Sequence, residues 1–140
     1  MRYYCDNTIN SNEKWQYLLS LVVTECDHVA FNVLQKNFES VLEKDLINEA
    51  ETLNYKKNEK IYSSGKQLLF PLNEKVLKFI NSKEYNEWKN FCIEDPSFMK
   101  DGKEILATIT HENYIIMLLS EKQRVMLNSK GFEFKIKWNP

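Results

Sequence analysis

Two histidines, His28 and His111, are the only imidazoles in this 140-residue chain, and each has a carboxylate beside it. Asp27 precedes the first and Glu112 follows the second. An imidazole next to a carboxylate can move a proton near neutral pH or share a metal ion. His111-Glu112 falls between two apolar runs, where a turn between core strands is expected, and such turns often carry reactive groups. Asp95, Asp101 and Glu104 lie shortly before it. If one of them folded back toward His111, an acid/base pair or a metal site would result. His111, Glu112, Asp95 and Asp101 therefore form the candidate site of a small enzyme or ligand-binding domain. The simpler reading, preferred here, is that His111 ends a strand and bonds a nearby carbonyl. His28 starts a predicted strand, and a structural role is preferred for it too.

The better-known catalytic and ligand motifs are absent. His111-Glu112 has no second histidine at HExxH spacing, and no GxGxxG or GxxxxGK loop occurs. Cys5, Cys26 and Cys92 are odd in number and far apart, which removes CxxC-based zinc and redox motifs. Cys26 and Cys92 sit in apolar-periodic segments and read as small buried hydrophobes. Only Arg2 and Arg124 stand against seventeen lysines, so an arginine-clamped phosphate site is not expected. No cofactor and no metal are expected.

A second constellation is electrostatic. Between Glu25 and Glu51 there are seven acids and two lysines. A helical stripe from Phe38 through Val41, Leu42, Leu46 and Ala50 to Leu53 predicts a helix over 39–55. Glu39, Glu43 and Glu49 would share its exposed side, with Asp45 and Glu51 flanking them and Tyr55 near its end. Like charges four apart cost only about a few tenths of a kcal/mol per pair, so such a face can be nothing more than a solvated surface. It can also dock a basic partner, because complementary charge speeds encounter and rejects wrong partners.

Other elements must position these groups. Ser11 and Glu13 open a helix over 12–25 that carries Trp15, Leu18, Leu19 and Val22. Val29, Phe31 and Val33 alternate as a strand. KQLLFPL, residues 66–72, reads as a strand ended by Pro71. Residues 73–91 read as one kinked helix or two short ones, with Ser82 capping the second. Asp95-Pro96-Ser97 ends helical structure, since the residue before proline avoids the α region. Asp101-Gly102 then predicts a tight hairpin turn. Strands over 105–110 and 114–119 follow. A short helix capped by Ser120 leads through Gly131 to an edge strand over 132–138, where Phe132, Phe134, Ile136 and Trp138 alternate with charged residues.

The expected architecture is a single α+β domain over residues 1–140. A mainly antiparallel sheet, built from the C-terminal hairpin and a β-α-β unit, packs against N-terminal and central helices. At 43% hydrophobic and 13% aromatic the chain can bury a substantial core. The net charge of −1 gives no support for nucleic-acid binding. No secretory layout or membrane-length apolar run is found, so a cytoplasmic location without membrane association is expected. Fifteen asparagines beside the lysine excess fit an A+T-rich coding sequence of bacterial type. Taken together, these features suggest a non-catalytic protein-binding module. The expected role is that of a bacterial immunity or inhibitor protein masking a basic partner such as a toxin.

Overall fold

The computed structural model describes residues 1–9, 11–34, 38–51 and 67–136. Its strands are β1 (Arg2–Asp6), β2 (His28–Val33), β3 (Gln67–Pro71), β4 (Ile93–Lys100), β5 (Lys103–Ile109), β6 (Tyr114–Leu119) and β7 (Lys135–Ile136). They form one antiparallel sheet in the order β3-β2-β4-β5-β6-β1-β7. The helices are α1 (Asn12–Val22), α2 (Phe38–Val41), α3 (Lys44–Ile47), α4 (Glu74–Asn81) and α5 (Glu121–Ser129). The fold is α+β. No helix among the described residues is long and apolar enough to cross a membrane.

Local chemistry accounts for many of the boundaries. Ser11 caps α1 by accepting from the Lys14 amide, and Asn73 caps α4 by accepting from Val76. Ser120 and Gln123 form a reciprocal capping box at the start of α5. Asp101 and Gly102 have φ of +50° and +79°, so the β4–β5 turn takes the doubly left-handed form that Asp-Gly favours.

The core lies where α1 and a 3₁₀ turn at Tyr85–Trp88 meet the sheet. The Trp15 ring centroid is 5.5 Å from that of Tyr85 and 6.4 Å from that of Phe98. Phe31 on β2 packs 5.3 Å from Trp88 and 5.9 Å from Phe70. All three cysteines are buried and free.

Several expectations are corrected. The helix over 39–55 is not continuous. Leu42 and Glu43 leave the helix between α2 and α3, and Glu43, the residue before α3, is extended at ψ 138°. Residues 52–66, including Tyr55, lie outside the described residues. Ser82 closes α4 and does not open the next turn, which Glu84 and Glu87 cap reciprocally. Asp95-Pro96-Ser97 does more than end helical structure, because it forms the interior of β4. The last strand is short, Lys135–Ile136, and residues 137–140 are outside the described set. Its expected edge position holds. However, β1 comes between it and β6, so the two strands of the C-terminal β-α-β unit are not neighbours.

Candidate functional site

Pro96 sits in a strand flanked on both sides, a position that proline normally avoids because it cannot donate to the ladder. A bulge accommodates it. Ala30 pairs with Ser97 and Asn32 with Glu94, so the single residue Phe31 faces the two residues Asp95 and Pro96. Asp95 takes a left-handed conformation there, with φ +56°. Aspartate tolerates that region better than most residues.

The bulge turns the Asp95 side chain into a buried polar chain that runs across three strands to the turn after β5. Gln67 Nε2 donates to Asn32 Oδ1 at 2.8 Å, and Asn32 Nδ2 donates to Asp95 Oδ2 at 3.1 Å. Asp95 Oδ1 accepts from both the Thr110 amide at 2.8 Å and the Thr110 hydroxyl at 3.0 Å. Asp95 is 4% exposed and Thr110 is fully buried. Tyr85 donates its hydroxyl to the Thr110 carbonyl at 3.3 Å. Burial pushes the Tyr85 pKa upward, and the charges of Asp95 and Asp6 add to that.

Thr110 opens a 3₁₀ turn, Thr110–Glu112, that joins β5 to β6, and the next residue is His111. By fixing Thr110, Asp95 fixes the turn that presents His111. The ring stands at the surface with its Nδ1 3.8 Å from Glu94 Oε2, while Glu94 is almost wholly buried. Glu94, Asp95 and His111 can each bring one ligand atom to within 4.8 Å of the others. Of the residues expected at this site, the structure thus brings His111 and Asp95 together. Glu112 is exposed at the end of the turn. Asp101 lies beyond the far end of β4, where its amide donates to Asp27 Oδ2. The carboxylate facing His111 is Glu94, which the sequence reading missed. Its available signal was the Glu-Asp-Pro order, two acids at a proline that can only enter a sheet at a bulge.

His28 has more partners than its sequence position suggests. Nδ1 lies 2.7 Å from Asp27 Oδ1 and Nε2 lies 2.9 Å from Glu51 Oε2. Both ring nitrogens are therefore engaged.

The acidic surface residues divide into two groups. Glu51 is held by His28, and Glu49 accepts from Asn73 at 2.8 Å with Lys75 at 3.5 Å. Glu39, Glu43 and Asp45 are exposed. Glu43 and Asp45 line an open groove of about 670 Å³ between the α2–α3 segment and α4. Leu42, Leu46, Phe79 and Phe91 give it apolar walls, and Glu74, Lys75 and Lys78 complete its charged rim. Val41, also lining it, is 50% exposed.

Compared with protein-family models, with curated proteins and with solved structures, the chain matches none of them.

Proposed function

We propose that this protein is a non-catalytic protein-binding module that masks a basic partner, as an inhibitor or immunity protein masks a toxin. The groove between the α2–α3 segment and α4 is the observation that carries this reading. Its volume suits side chains inserted from a partner, and its walls combine apolar surface with charge. Interfaces of this kind place apolar anchors centrally and charge at the rim.

Charge favours a basic occupant. Around the groove, segments 38–51 and 74–83 hold Glu39, Glu43, Asp45, Glu49, Glu51 and Glu74 against Lys44, Lys75, Lys78 and Lys83, the last with its Nζ 3.7 Å from the Phe91 ring centroid. Lys75 is already drawn to Glu49. The negative excess would steer a cationic surface toward the apolar walls and exclude anionic ones.

Binding of two synthetic amphipathic peptides, one of leucine with lysine and one of leucine with glutamate, tests this. The lysine peptide should bind, and more weakly as salt rises. The glutamate peptide should not bind. Glu43→Lys with Asp45→Lys should weaken lysine-peptide binding at least about tenfold, mainly through slower association. Equal binding of both peptides, or indifference to the double reversal, overturns the proposal.

A further inference from the structure

We infer that Glu94, Asp95 and His111 form a binding site for a divalent transition-metal ion of the zinc class. The inference is independent of the groove, since none of these three residues lines it.

Three observations carry it. The first is donor type. Two carboxylates and one imidazole can bring ligand atoms within 4.8 Å of one another, a set that suits zinc. Calcium and magnesium prefer all-oxygen shells, so the imidazole selects against them. The second is the gap between His111 and Glu94. At 3.8 Å the Nδ1–Oε2 separation is too long for a hydrogen bond. Ligands on bonds of about 2.0–2.1 Å around a tetrahedral ion stand about 3.3 Å apart. The two groups would need to approach by only about half an ångström. The third is support behind the ligands. Asn32 and Thr110 orient the Asp95 carboxylate, and Thr110 is also the residue that sets the His111 turn. Ligating carboxylates are ordinarily held this way by the residues behind them.

His28 also lies among carboxylates, but both of its ring nitrogens are in contacts of 2.7 and 2.9 Å, whereas His111 Nδ1 stands 3.8 Å from Glu94 Oε2. The His111 ring is 58% exposed and can be reached from solvent, whereas Glu94 and Asp95 lie beneath it. Three protein ligands would leave a fourth position for water or a bound anion.

The test uses the full chain, treated with chelator and dialysed, then titrated calorimetrically with zinc ion alone. One ion per chain should bind, accompanied by a rise in melting temperature. His111→Ala, at an exposed position, and Glu94→Gln should each weaken binding at least about tenfold, the scale of losing a ligand or its support. His28→Asn should leave zinc binding unchanged, and magnesium and calcium should not compete. Absence of zinc binding overturns the inference. So does zinc binding that survives both substitutions or that His28→Asn removes. Circular dichroism of each variant separates a lost ligand from a lost fold.

Discussion

His28 Nε2 lies 2.9 Å from Glu51 Oε2, and this contact ties the start of β2 to the chain leaving α3. The other nitrogen faces Asp27 at 2.7 Å. A neutral imidazole has one N–H and cannot donate to both carboxylates, so the arrangement calls for the protonated ring. Burial opposes that charge. The hydrogen bonds to Asp27 and Glu51 and the two negative charges outweigh it, and the His28 pKa lies above its ordinary value. Asp27 is held below the ordinary carboxylate range, first by the Asp101 amide and then by the His28 ring.

A stability window follows from these two shifts. The raised His28 pKa gives stability that is complete below about pH 6.5 and is lost as pH rises through the folded value. The lowered Asp27 pKa gives stability that is complete above about pH 4 and is lost as pH falls through its folded value. The clasp therefore contributes fully between about pH 4 and 6.5. Both side chains are about a third or more exposed, so screening holds the contribution to about 1 kcal/mol or less. Thermal unfolding of wild type and His28→Asn across pH should show a gap in that window that closes on the alkaline side. A gap independent of pH would show that His28 acts by packing alone.

Asp95 anchors the buried polar chain. Asp95→Ala strips the acceptor from the Thr110 amide, the Thr110 hydroxyl and the Asn32 amide. Each buried donor left unpaired costs about 1–3 kcal/mol, so a loss of about 3 kcal/mol or more is expected in chemical denaturation. Thr110→Val removes one hydroxyl and should cost about 1 kcal/mol. Equal losses in the two variants would mean that the carboxylate is not the anchor.

Phe31 is fully buried between Phe70, Phe79 and Trp88. Phe31→Ala should destabilise by about 3–5 kcal/mol through lost burial and the cavity left behind. Val41→Ala, at a half-exposed position in the groove, should change stability by about 0.5 kcal/mol or less. Urea midpoints distinguish the two. Similar shifts would place the core elsewhere.

The Glu121 carboxyl is depressed to about 2, chiefly by its ion pair with Arg124 and then by the Tyr4 hydroxyl, which donates to Oε2 at 2.8 Å. In a carbon-detected NMR titration, Arg124→Ala should move this pKa up toward the ordinary glutamate value of about 4.3. A carboxyl that titrates unchanged would show that the pair does not persist in solution.

The parts of the fold legible in sequence were those with local causes. The Ser11 and Ser120 caps, the Asp-Gly turn and the alternation of Val29, Phe31 and Val33 each act within a few residues, and each lies where the pattern places it. β4 escaped notice because Pro96 ordinarily argues against a central strand. The bulge that admits it depends on pairing with β2, a relationship that no local window contains. The apolar stripe after Phe38 is real, since Phe38, Leu42 and Leu46 are all buried, but two single turns serve that burial as well as one long helix would. At the candidate site His111 and Asp95 were legible as types. Their meeting depends on a strand pairing, and so does the choice of Glu94 over Glu112.

β1 has β6 on one side and β7 on the other, and Tyr4 bonds Glu121, 117 residues further along the chain. A ribosome makes this strand long before either neighbour exists. Nascent chains that stop short of residue 114 must leave Tyr4, Cys5 and Asp6 without their sheet partners. β1 can therefore complete its pairing only after residues 114 onward have been made, a contact of long sequence separation of the kind that forms slowly.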